Sequence, residues 1–546
     1  MLKIESYLKQ QIDATLQKLS FPHVTYQFDR PRLEAHGDIS INVAMILAKS
    51  LKQNPREIAN QIVTNLELKP ETVEKVEIAG PGFINFFLSP EVLRTEIREI
   101  LKQKEEYGKF FLSPSPKALV EFVSANPTGP LTVGHGRQAV LGDTIANILE
   151  WNGFTVTREY YFNNAGRQMR VLADSVRLRY LELLGETIEF PEDYYQGEYI
   201  KDIARKILET HGDSLKDSTD LTIFKETAEQ EIFEDIKATL ASLNIVFDSF
   251  VNELDLYEKG EVDFVIETFK SKNLAYEKDG ALWFKTTEFG LEQDRVIVKS
   301  TGEPTYRLPD IAYHKYKFDR GFDLMVDIFG ADHIATYPDV LAGLKALGYD
   351  TERVKVLIHQ FVTLFEGKEK VKMSTRKATF ITLDELVQEV GKDATRWFFL
   401  MRGMKTHLNF DLQLAKTQSD ENPVYYNQYA HARICSILRN ASDKGISLQD
   451  NPSLNLLKHP AEFQLMKKLM EFPRIVEKCR NEFEPQPLTQ YLSEVSTAFH
   501  KFYTECRVIS EEEPELTQAR LKLCLATKQV LANGFTILGI SAPEKM

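Results

Sequence analysis

The sequence is poor in cysteine and lacks a long apolar run. Its four cysteines all lie in the C-terminal part and show no Cys-x-x-Cys spacing: Cys435, Cys479, Cys506 and Cys524. This excludes the usual cysteine-based zinc sites and favours buried free thiols in a reducing cytosol. We therefore expect no metal held by the protein and a cytoplasmic location.

Membrane insertion and general nucleic-acid coating are also disfavoured. No stretch approaches the ~18 uncharged apolar residues of a membrane span, and the charged N-terminal segment has no secretory apolar core. The formal net charge is −13, so a protein that coats nucleic acid over its whole surface is excluded. A local RNA site remains compatible with this charge, and neither DNA nor a membrane is expected as a partner.

The length and the order of elements predict several domains. With 546 residues, the chain is several times longer than a typical domain of ~100–200 residues. Strand, helix and strand alternate after residue 115, which predicts an α/β fold with a Rossmann-like doubly wound parallel sheet. Helical patterns dominate the end of the chain and predict an all-α bundle. We predict an α+β domain at 1–110, the sheet domain at 115–415 with a helical insertion at about 167–257, and the bundle at 416–546.

The stretch Ser124–Arg137 (SANPTGPLTVGHGR) lies between a buried-strand pattern and an apolar helical pattern. Such a strand-to-helix turn offers free backbone N–H groups and the positive end of a helix, which suit phosphate. Gly134 and Gly136 allow close approach of a ligand. His135 is either a helix cap or core residue, or a phosphate ligand.

A second cationic loop lies far downstream, at Val371–Lys377 (VKMSTRK). Two phosphate-directed loops predict a split nucleotide site. Between them, Pro309 predicts a helix that begins near Asp310. The Asp310 carboxylate either pairs with the helix dipole or binds a cationic ligand.

Both loops resemble the two signature motifs of class I aminoacyl-tRNA synthetases. The longer segments SANPTGPLTVGHGRQAVLGD, VKSTGEPTYRLPDIAYHK, KVKMSTRKATFITLDELV and DENPVYYNQYAHARICSILR resemble bacterial arginyl-tRNA synthetases. So do HGDISINVAMILAKSL and VEIAGPGFINFFLSP near the start and GISAPEKM at the end. The resemblance spans almost the whole chain and is weakest in the middle insertion.

This resemblance implies an arginine–tRNA ligase that uses ATP with Mg²⁺, arginine and tRNA(Arg), and we expect a monomer. It implies a tRNA-contacting N-terminal domain and an anticodon-binding bundle. Roles are carried over by motif position: catalysis by Thr132, His135, Lys372, Ser374 and Arg376; ATP binding by Pro127, Gly129, Gly134, His135, Gly136, Asp332, His333 and Met373; arginine binding by Ser124, Asn126, Tyr306 and Asp310.

Two positions depart from the signatures, and several alternatives stay open. Thr132 replaces the first histidine, and Thr375 replaces the second lysine of the mobile loop. Asp332 and His333 fit a plain loop as well as a ligand site. Tyr425 and Tyr429 fit core packing or, by resemblance, stacking on anticodon bases. Rival functions are a non-catalytic RNA-binding paralogue, a class I synthetase for another amino acid, and a nucleotidylyltransferase.

Overall fold

A computed structural model describes residues 3–31, 33–331, 334–367, 369–371 and 381–546. Within these ranges the chain forms an N-terminal α+β unit, a parallel-sheet unit and a C-terminal helical bundle. One apolar core runs through all three units, and a second lies beside the parallel sheet. The arrangement confirms the predicted fold class. No helix in the described ranges combines the length and apolar character that crossing a bilayer requires.

The N-terminal unit packs helices on a four-stranded antiparallel sheet of order β1-β2-β4-β3. The predicted Gly-Pro-Gly turn joins β3 to β4, with Gly80 and Gly82 both at positive φ. The elements are α1 (Lys3–Lys18), β1 (Phe28–Asp29), β2 (Ile39–Ile41), α2 (Val43–Leu51), α3 (Pro55–Asn65), β3 (Val73–Ala79), β4 (Phe83–Leu88) and α4 (Pro90–Gln103).

The middle unit begins with the strand, turn and helix that the sequence predicts. The first half contains β5 (Lys117–Glu121), α5 (Val133–Trp151), β6 (Thr155–Phe162), α6 (Gly166–Leu183), α7 (Glu198–His211), α8 (Thr222–Ser242), β7 (Ser249–Asn252), α9 (Glu253–Glu258) and α10 (Glu261–Ser271). The second half contains β8 (Ala275–Lys278), β9 (Ala281–Phe284), β10 (Arg295–Val298), α11 (Arg307–Asp319), β11 (Leu324–Gly330), α12 (Tyr337–Leu347), β12 (Val354–His359), β13 (Val362–Glu366), β14 (Glu369–Lys370), α13 (Leu383–Val390), α14 (Lys392–Leu400), β15 (Leu408–Asp411) and α15 (Leu412–Lys416).

Five strands form one parallel sheet of order β12-β11-β5-β6-β7. All their carboxyl ends therefore lie at the same edge of the sheet. Strand β5 is central and leads directly into α5. The strand-to-helix turn is thereby placed in the middle of that edge.

Strands β8 to β10 form a separate antiparallel sheet. Two details differ from the sequence predictions. Strand β7 joins the parallel sheet, although it lies in the stretch predicted to be a helical insertion. Helix α11 begins at Arg307 rather than near Asp310. Pro309 is tolerated in its first turn because N–H groups there need no intrahelical partner.

The C-terminal bundle consists of α16 (Pro423–Asp443), α17 (Pro460–Met470), α18 (Phe472–Glu482), α19 (Gln486–Glu505) and α20 (Pro514–Leu538). It packs against both other units, since α4 contacts α17 and α20, and α5 contacts α18 and α20. The bundle is therefore in direct contact with the helix that follows the glycine-rich turn.

Candidate active site

A cavity of about 1040 Å³ opens at the carboxyl edge of the parallel sheet. Each strand contributes a lining residue at or just after its end: Glu121 from β5, Asn163 from β6, Glu253 from β7, Gly330 from β11 and His359 from β12. Open α/β sheets bind ligands at this edge. The cavity is therefore the candidate active site.

The cavity brings together predicted site residues that lie far apart in sequence. Residues predicted for ATP and for arginine both line it: Ser124, Asn126, Thr132, Gly134, His135, Tyr306 and Asp310. The two predicted subsites are thus parts of one space. The roles of the individual residues stay predictions.

The N-terminus of α5 is closed by a reciprocal cap. The Thr132 hydroxyl accepts the His135 backbone N–H at 3.5 Å, and His135 Nδ1 accepts the Thr132 N–H at 3.1 Å. Because Nδ1 is an acceptor, the neutral ring carries its proton on Nε2. His135 is therefore a helix cap that also lines the cavity, and its role as a phosphate ligand stays a prediction.

The glycines and Pro127 of the turn differ in whether they line the cavity. Gly134 lines the cavity, whereas Pro127, Gly129 and Gly136 are not among the lining residues. A Cβ on Gly136 would overlap the Leu383 side chain, so this glycine permits close packing of α5 on α13. A Cβ on Gly129 would lie 2.9 Å from the Tyr199 hydroxyl of α7. The space that these two glycines leave open is filled by protein.

Two polar side chains hold the first part of the turn in place. Ser124 Oγ donates to Glu121 at 2.9 Å and accepts the Tyr161 backbone N–H at 3.1 Å. Asn126 Oδ1 accepts the Asn163 N–H at 3.0 Å. The turn is therefore fixed to β6. Ser124 itself has φ of +43°, an uncommon backbone conformation for a residue other than glycine.

Asp310 lies in the cavity, on the first turn of α11. Its carboxylate forms no hydrogen bond or ion pair with any residue in the described ranges, although His314 and Lys317 are close enough to favour its charged form. Burial raises the pKa of Asp310 to about 7. A half-buried carboxylate without a partner is a strong candidate for binding a cation.

Behind Asp310 lies a buried ionic network. Lys317 Nζ donates to Glu121 at 2.5 Å and to Asp327 at 2.6 Å, and all three side chains are almost fully buried. His314 Nε2 lies 3.0 Å from Asp327. Asp327 is held ionised, with a lowered pKa that results from Lys317 and His314 despite burial. The pKa of Glu121 is raised, chiefly by burial.

Aromatic rings also line the cavity. Tyr161 and Tyr313 are stacked, with ring centroids 4.2 Å apart, and both line the cavity. Tyr306 is 81% exposed at the rim and precedes α11. The Asp310 N–H donates to the Tyr306 carbonyl at 3.3 Å, but the Tyr306 hydroxyl forms no hydrogen bond with the Asp310 carboxylate in this structure.

Sequence reasoning missed four residues that line this part of the cavity: Glu121, Tyr161, Asn163 and Glu253. Glu121 could have been predicted from the sequence, because a carboxylate inside a buried-strand pattern needs a partner. Glu253 was not, because it follows β7, which the pattern of its own segment did not predict.

The second signature loop lies outside the described residues from 372 onward, and this part contains Lys372, Met373, Ser374 and Arg376. Asp332 and His333 lie outside the described residues too. The flanking chain is described: Ile381 lines the cavity, Thr382 forms an isolated β-bridge with Thr132, and the Leu383 N–H donates to the Leu131 carbonyl at 2.8 Å. The chain thus continues after this loop beside the cap of α5.

Tyr425 and Tyr429 lie on α16, far from this cavity in sequence and on the bundle. Their half-buried rings are stacked, with centroids 6.1 Å apart. Tyr429 lines a second cavity of about 430 Å³, together with Arg433, Arg439 and Lys545. This second cavity combines an aromatic ring with three cations, which suits RNA bases and phosphates.

Comparisons with known proteins agree along the chain. The family of arginyl tRNA synthetase N-terminal domains matches residues 6–88, the catalytic domain of class I (R) tRNA synthetases matches 96–436, and the DALR anticodon-binding domain matches 427–546. An arginine–tRNA ligase of Salinibacter ruber is 51% identical over 563 residues and covers 100% of both chains.

Further relatives extend this similarity to solved structures. An arginine–tRNA ligase of Chlorobaculum tepidum is 52% identical, over 95% of this chain and 96% of the relative. The arginyl-tRNA synthetase structure of Thermus thermophilus is 25% identical, with a TM-score of 0.79 over 99% of this chain and 100% of that chain. The chain belongs to the arginyl-tRNA synthetases, within the class I aminoacyl-tRNA synthetases.

Proposed function

We propose that the cavity joins arginine to ATP and then to the 3′ end of tRNA(Arg). In the first step, an arginine carboxylate oxygen attacks the α-phosphorus of ATP, and pyrophosphate leaves. In the second, a ribose hydroxyl of the tRNA attacks the carbonyl carbon of arginyl-adenylate, and AMP leaves. The observation that carries this proposal is one cavity with a helix-capped glycine turn and a half-buried carboxylate, Asp310, that has no partner among the described residues.

The amino-acid side of the cavity supports arginine as the substrate. A guanidinium is planar and always charged, and it binds carboxylates through two parallel N–H groups. Asp310 offers a carboxylate without a partner, and the stacked rings of Tyr161 and Tyr313 offer a flat apolar wall. We propose that Ser124 and Asn126 orient the backbone of arginine and that Tyr306 covers its side chain. An uncharged analogue would leave Asp310 unpaired and would be rejected.

The turn side supports ATP. The N-terminus of α5 supplies N–H groups and a positive dipole end, and His135 supplies an Nε2 proton. We propose that Thr132, Gly134 and His135 serve the phosphates. No protein nucleophile is needed, so catalysis rests on orientation and on stabilising charge at the α-phosphate and the leaving pyrophosphate.

Other predicted groups are kept as proposals on the strength of their motif positions. We propose that Lys372, Ser374 and Arg376 hold the β- and γ-phosphates and that Met373, Asp332 and His333 contact ATP. Mg²⁺ enters with ATP as part of the substrate, on phosphate oxygens and water. Since Pro127, Gly129 and Gly136 do not line the cavity, their proposed contribution is to the shape of the turn.

The remaining proposals concern the whole chain. We propose that the domain at 1–110 contacts the outer corner of the tRNA, that the domain at 115–415 catalyses the reaction, and that the domain at 416–546 binds the anticodon. The matched family ranges support this division. Tyr425 and Tyr429 are proposed to stack on anticodon bases. We propose that the protein is a monomer. We also propose a cytoplasmic location, which the four buried free cysteines support.

Aminoacylation of total tRNA with each amino acid in turn tests the function. Arginine alone is expected to give charged tRNA, and ATP–pyrophosphate exchange is expected only with tRNA present. Charging with another amino acid would favour a different class I synthetase. Absence of both reactions would favour a non-catalytic RNA-binding paralogue. Pyrophosphate exchange at full rate without tRNA would contradict the proposed tRNA requirement.

A further inference from the structure

Arg137 is the last residue of the glycine-rich stretch, and the proposed chemistry does not use it. It lies on α5, its side chain is fully buried, and it has no ion pair with any residue in the described ranges. Burial lowers its pKa to about 10. The Glu484 carboxylate is close enough to favour the charge of Arg137 but forms no ion pair with it, so the burial of this cation remains costly and calls for a specific reason.

The Arg137 guanidinium binds backbone instead. One nitrogen, Nη1, donates to the carbonyls of Gln360 at 2.7 Å and Thr406 at 3.0 Å, and Nη2 donates to the carbonyl of Gly403 at 3.1 Å. Gln360 joins β12 to β13, between two cavity-lining residues, His359 and Phe361. Arg137 therefore holds the cavity wall from behind.

The other two carbonyls belong to the 401–407 loop, which joins α14 to β15. This loop also contacts the wall directly, because the Gln360 N–H donates to the Met404 carbonyl at 2.9 Å. Gln360 is thus held on both sides, through its carbonyl by Arg137 and through its N–H by the loop.

The C-terminal bundle holds the same loop from the opposite side. Glu484 lies between α18 and α19, and its Oε2 accepts the Met404 N–H at 3.0 Å. Burial raises the pKa of Glu484, and its Oε1 is buried with no hydrogen-bond partner among the described residues. Two ionisable side chains from different units therefore bind the same loop: Arg137, which is fully buried, and Glu484, which is half-buried.

We propose that Arg137 and Glu484 are positioning residues for ATP. By fixing the 401–407 loop from two sides, they fix the wall at Gln360 relative to the capped turn at His135. The wall follows β12, the edge strand of the parallel sheet, and leads into β13 of a separate sheet. The buried network beside Asp310 instead joins the inner strands β5 and β11 through Glu121 and Asp327. Loss of the hydrogen bonds of either side chain to this loop should weaken ATP binding and leave arginine binding almost unchanged. The identity of the ligand rests on the proposed function.

The test measures ATP binding by calorimetry on the full-length protein, together with the KM values for ATP and arginine in pyrophosphate exchange with tRNA. Arg137→Lys is expected to raise both the Kd and the KM for ATP about tenfold, which is the usual effect of one or two lost charged hydrogen bonds. The KM for arginine should stay within about twofold. Glu484→Ala should raise the ATP constants about fivefold, and Glu484→Gln, which keeps an acceptor for Met404, should stay within about twofold of wild type.

Arg520→Lys is the matched control. Arg520 lies on α20, where it donates to Glu462 at 2.7 Å and to the Arg507 carbonyl at 2.9 Å, within the bundle. This variant should lower thermal stability and leave both ATP constants unchanged. If it raised them as Arg137→Lys does, the effect would reflect general destabilisation and the proposal would fail.

A double-mutant cycle tests the shared loop. The effects of Arg137→Lys and Glu484→Ala on the Kd for ATP should combine to less than their product, because both loosen one element. Multiplicative effects, or equal rises in the constants for ATP and arginine, would overturn the proposal. Failure of the proposed function can be told apart from failure of this inference. In that case the wild-type protein would bind ATP but catalyse no pyrophosphate exchange, and the Kd values for ATP would still test the positioning role. Should Arg137→Lys not fold, Glu484→Ala against Glu484→Gln decides alone.

Discussion

The two sides of the cavity, one proposed for the phosphates of ATP and one for the side chain of arginine, complement the charge of their ligands in different ways. Among the described residues, the proposed phosphate side uses the end of a helix and neutral groups, such as the Thr132–His135 cap. The amino-acid side uses full charges, with Asp310 left unpaired in front of the Lys317 network. The first solution depends on local sequence and leaves a motif, whereas the second depends on side chains that only the folded sheet brings together.

The largest expected effect comes from removing the unpaired charge. Asp310→Asn keeps the shape of the side chain but leaves the guanidinium of arginine without an anionic partner. We expect kcat/KM for arginine to fall about 10³-fold while the KM for ATP changes less than about threefold. Steady-state pyrophosphate exchange with tRNA measures both. Equal losses for the two substrates would mean that the two sides are not separable.

The phosphate side is tested by Lys372→Ala. Removing a cation that stabilises the leaving pyrophosphate should lower the rate of adenylate formation about 10²- to 10³-fold. Affinity for tRNA, measured by filter binding, should be nearly unchanged. A rate within a few-fold of wild type would remove Lys372 from the mechanism.

The pH dependence should separate the two sides further. The pKa of Asp310 is about 7 in the free protein, so below pH 7 its carboxyl becomes protonated and cannot pair with a guanidinium. We expect kcat/KM for arginine to fall toward tenfold per pH unit below this value and to level off above it. In Asp310→Asn this fall of kcat/KM below pH 7 should disappear. If the fall persisted, another group would be responsible for the titration.

The same carboxylate should also affect stability. Because folding raises the pKa of Asp310, the folded state holds a proton that the unfolded state releases between about pH 4 and 7. Asp310 thus lowers the free energy of unfolding as pH rises through this window. Asp310→Asn is expected to be more thermostable than wild type at pH 8 and similar to it at pH 4 in thermal melts. Equal melting temperatures at pH 8 would argue that Asp310 is not costly in the free protein.

The smallest effect is expected at the cap. Thr132→Ala removes the hydroxyl that accepts the His135 N–H, while the Thr132 backbone still donates to the imidazole. A lost helix cap costs ~1 kcal/mol of stability, so we expect a lower melting temperature. Because the cap also orients the His135 ring that we propose serves the phosphates, we expect kcat to fall by about fivefold. Thr132→Ser should restore both. A fall in kcat without restoration by serine would show that the methyl group, and not the hydroxyl, matters.

The sequence predicted the parts of the molecule whose pattern is local. The turn at Ser124–Arg137, the strand before it and the helical bundle follow from periodicity and turn chemistry, and the structure has them. Strand β7 was missed because its four residues show no clear alternation and gain their place only by pairing with β6. The partners of Lys317 come from β5 and β11, and no spacing along the chain relates them.

The central claim is that one cavity holds ATP and arginine side by side, and a non-hydrolysable arginyl-adenylate analogue tests it most directly. Calorimetry on the full-length protein should give a Kd at least ~100-fold below that of arginine or ATP alone, because linking two bound groups makes the second binding event intramolecular. Saturating arginine and saturating ATP should each displace the analogue. An analogue that binds no more tightly than AMP, or that only one substrate displaces, would contradict the claim.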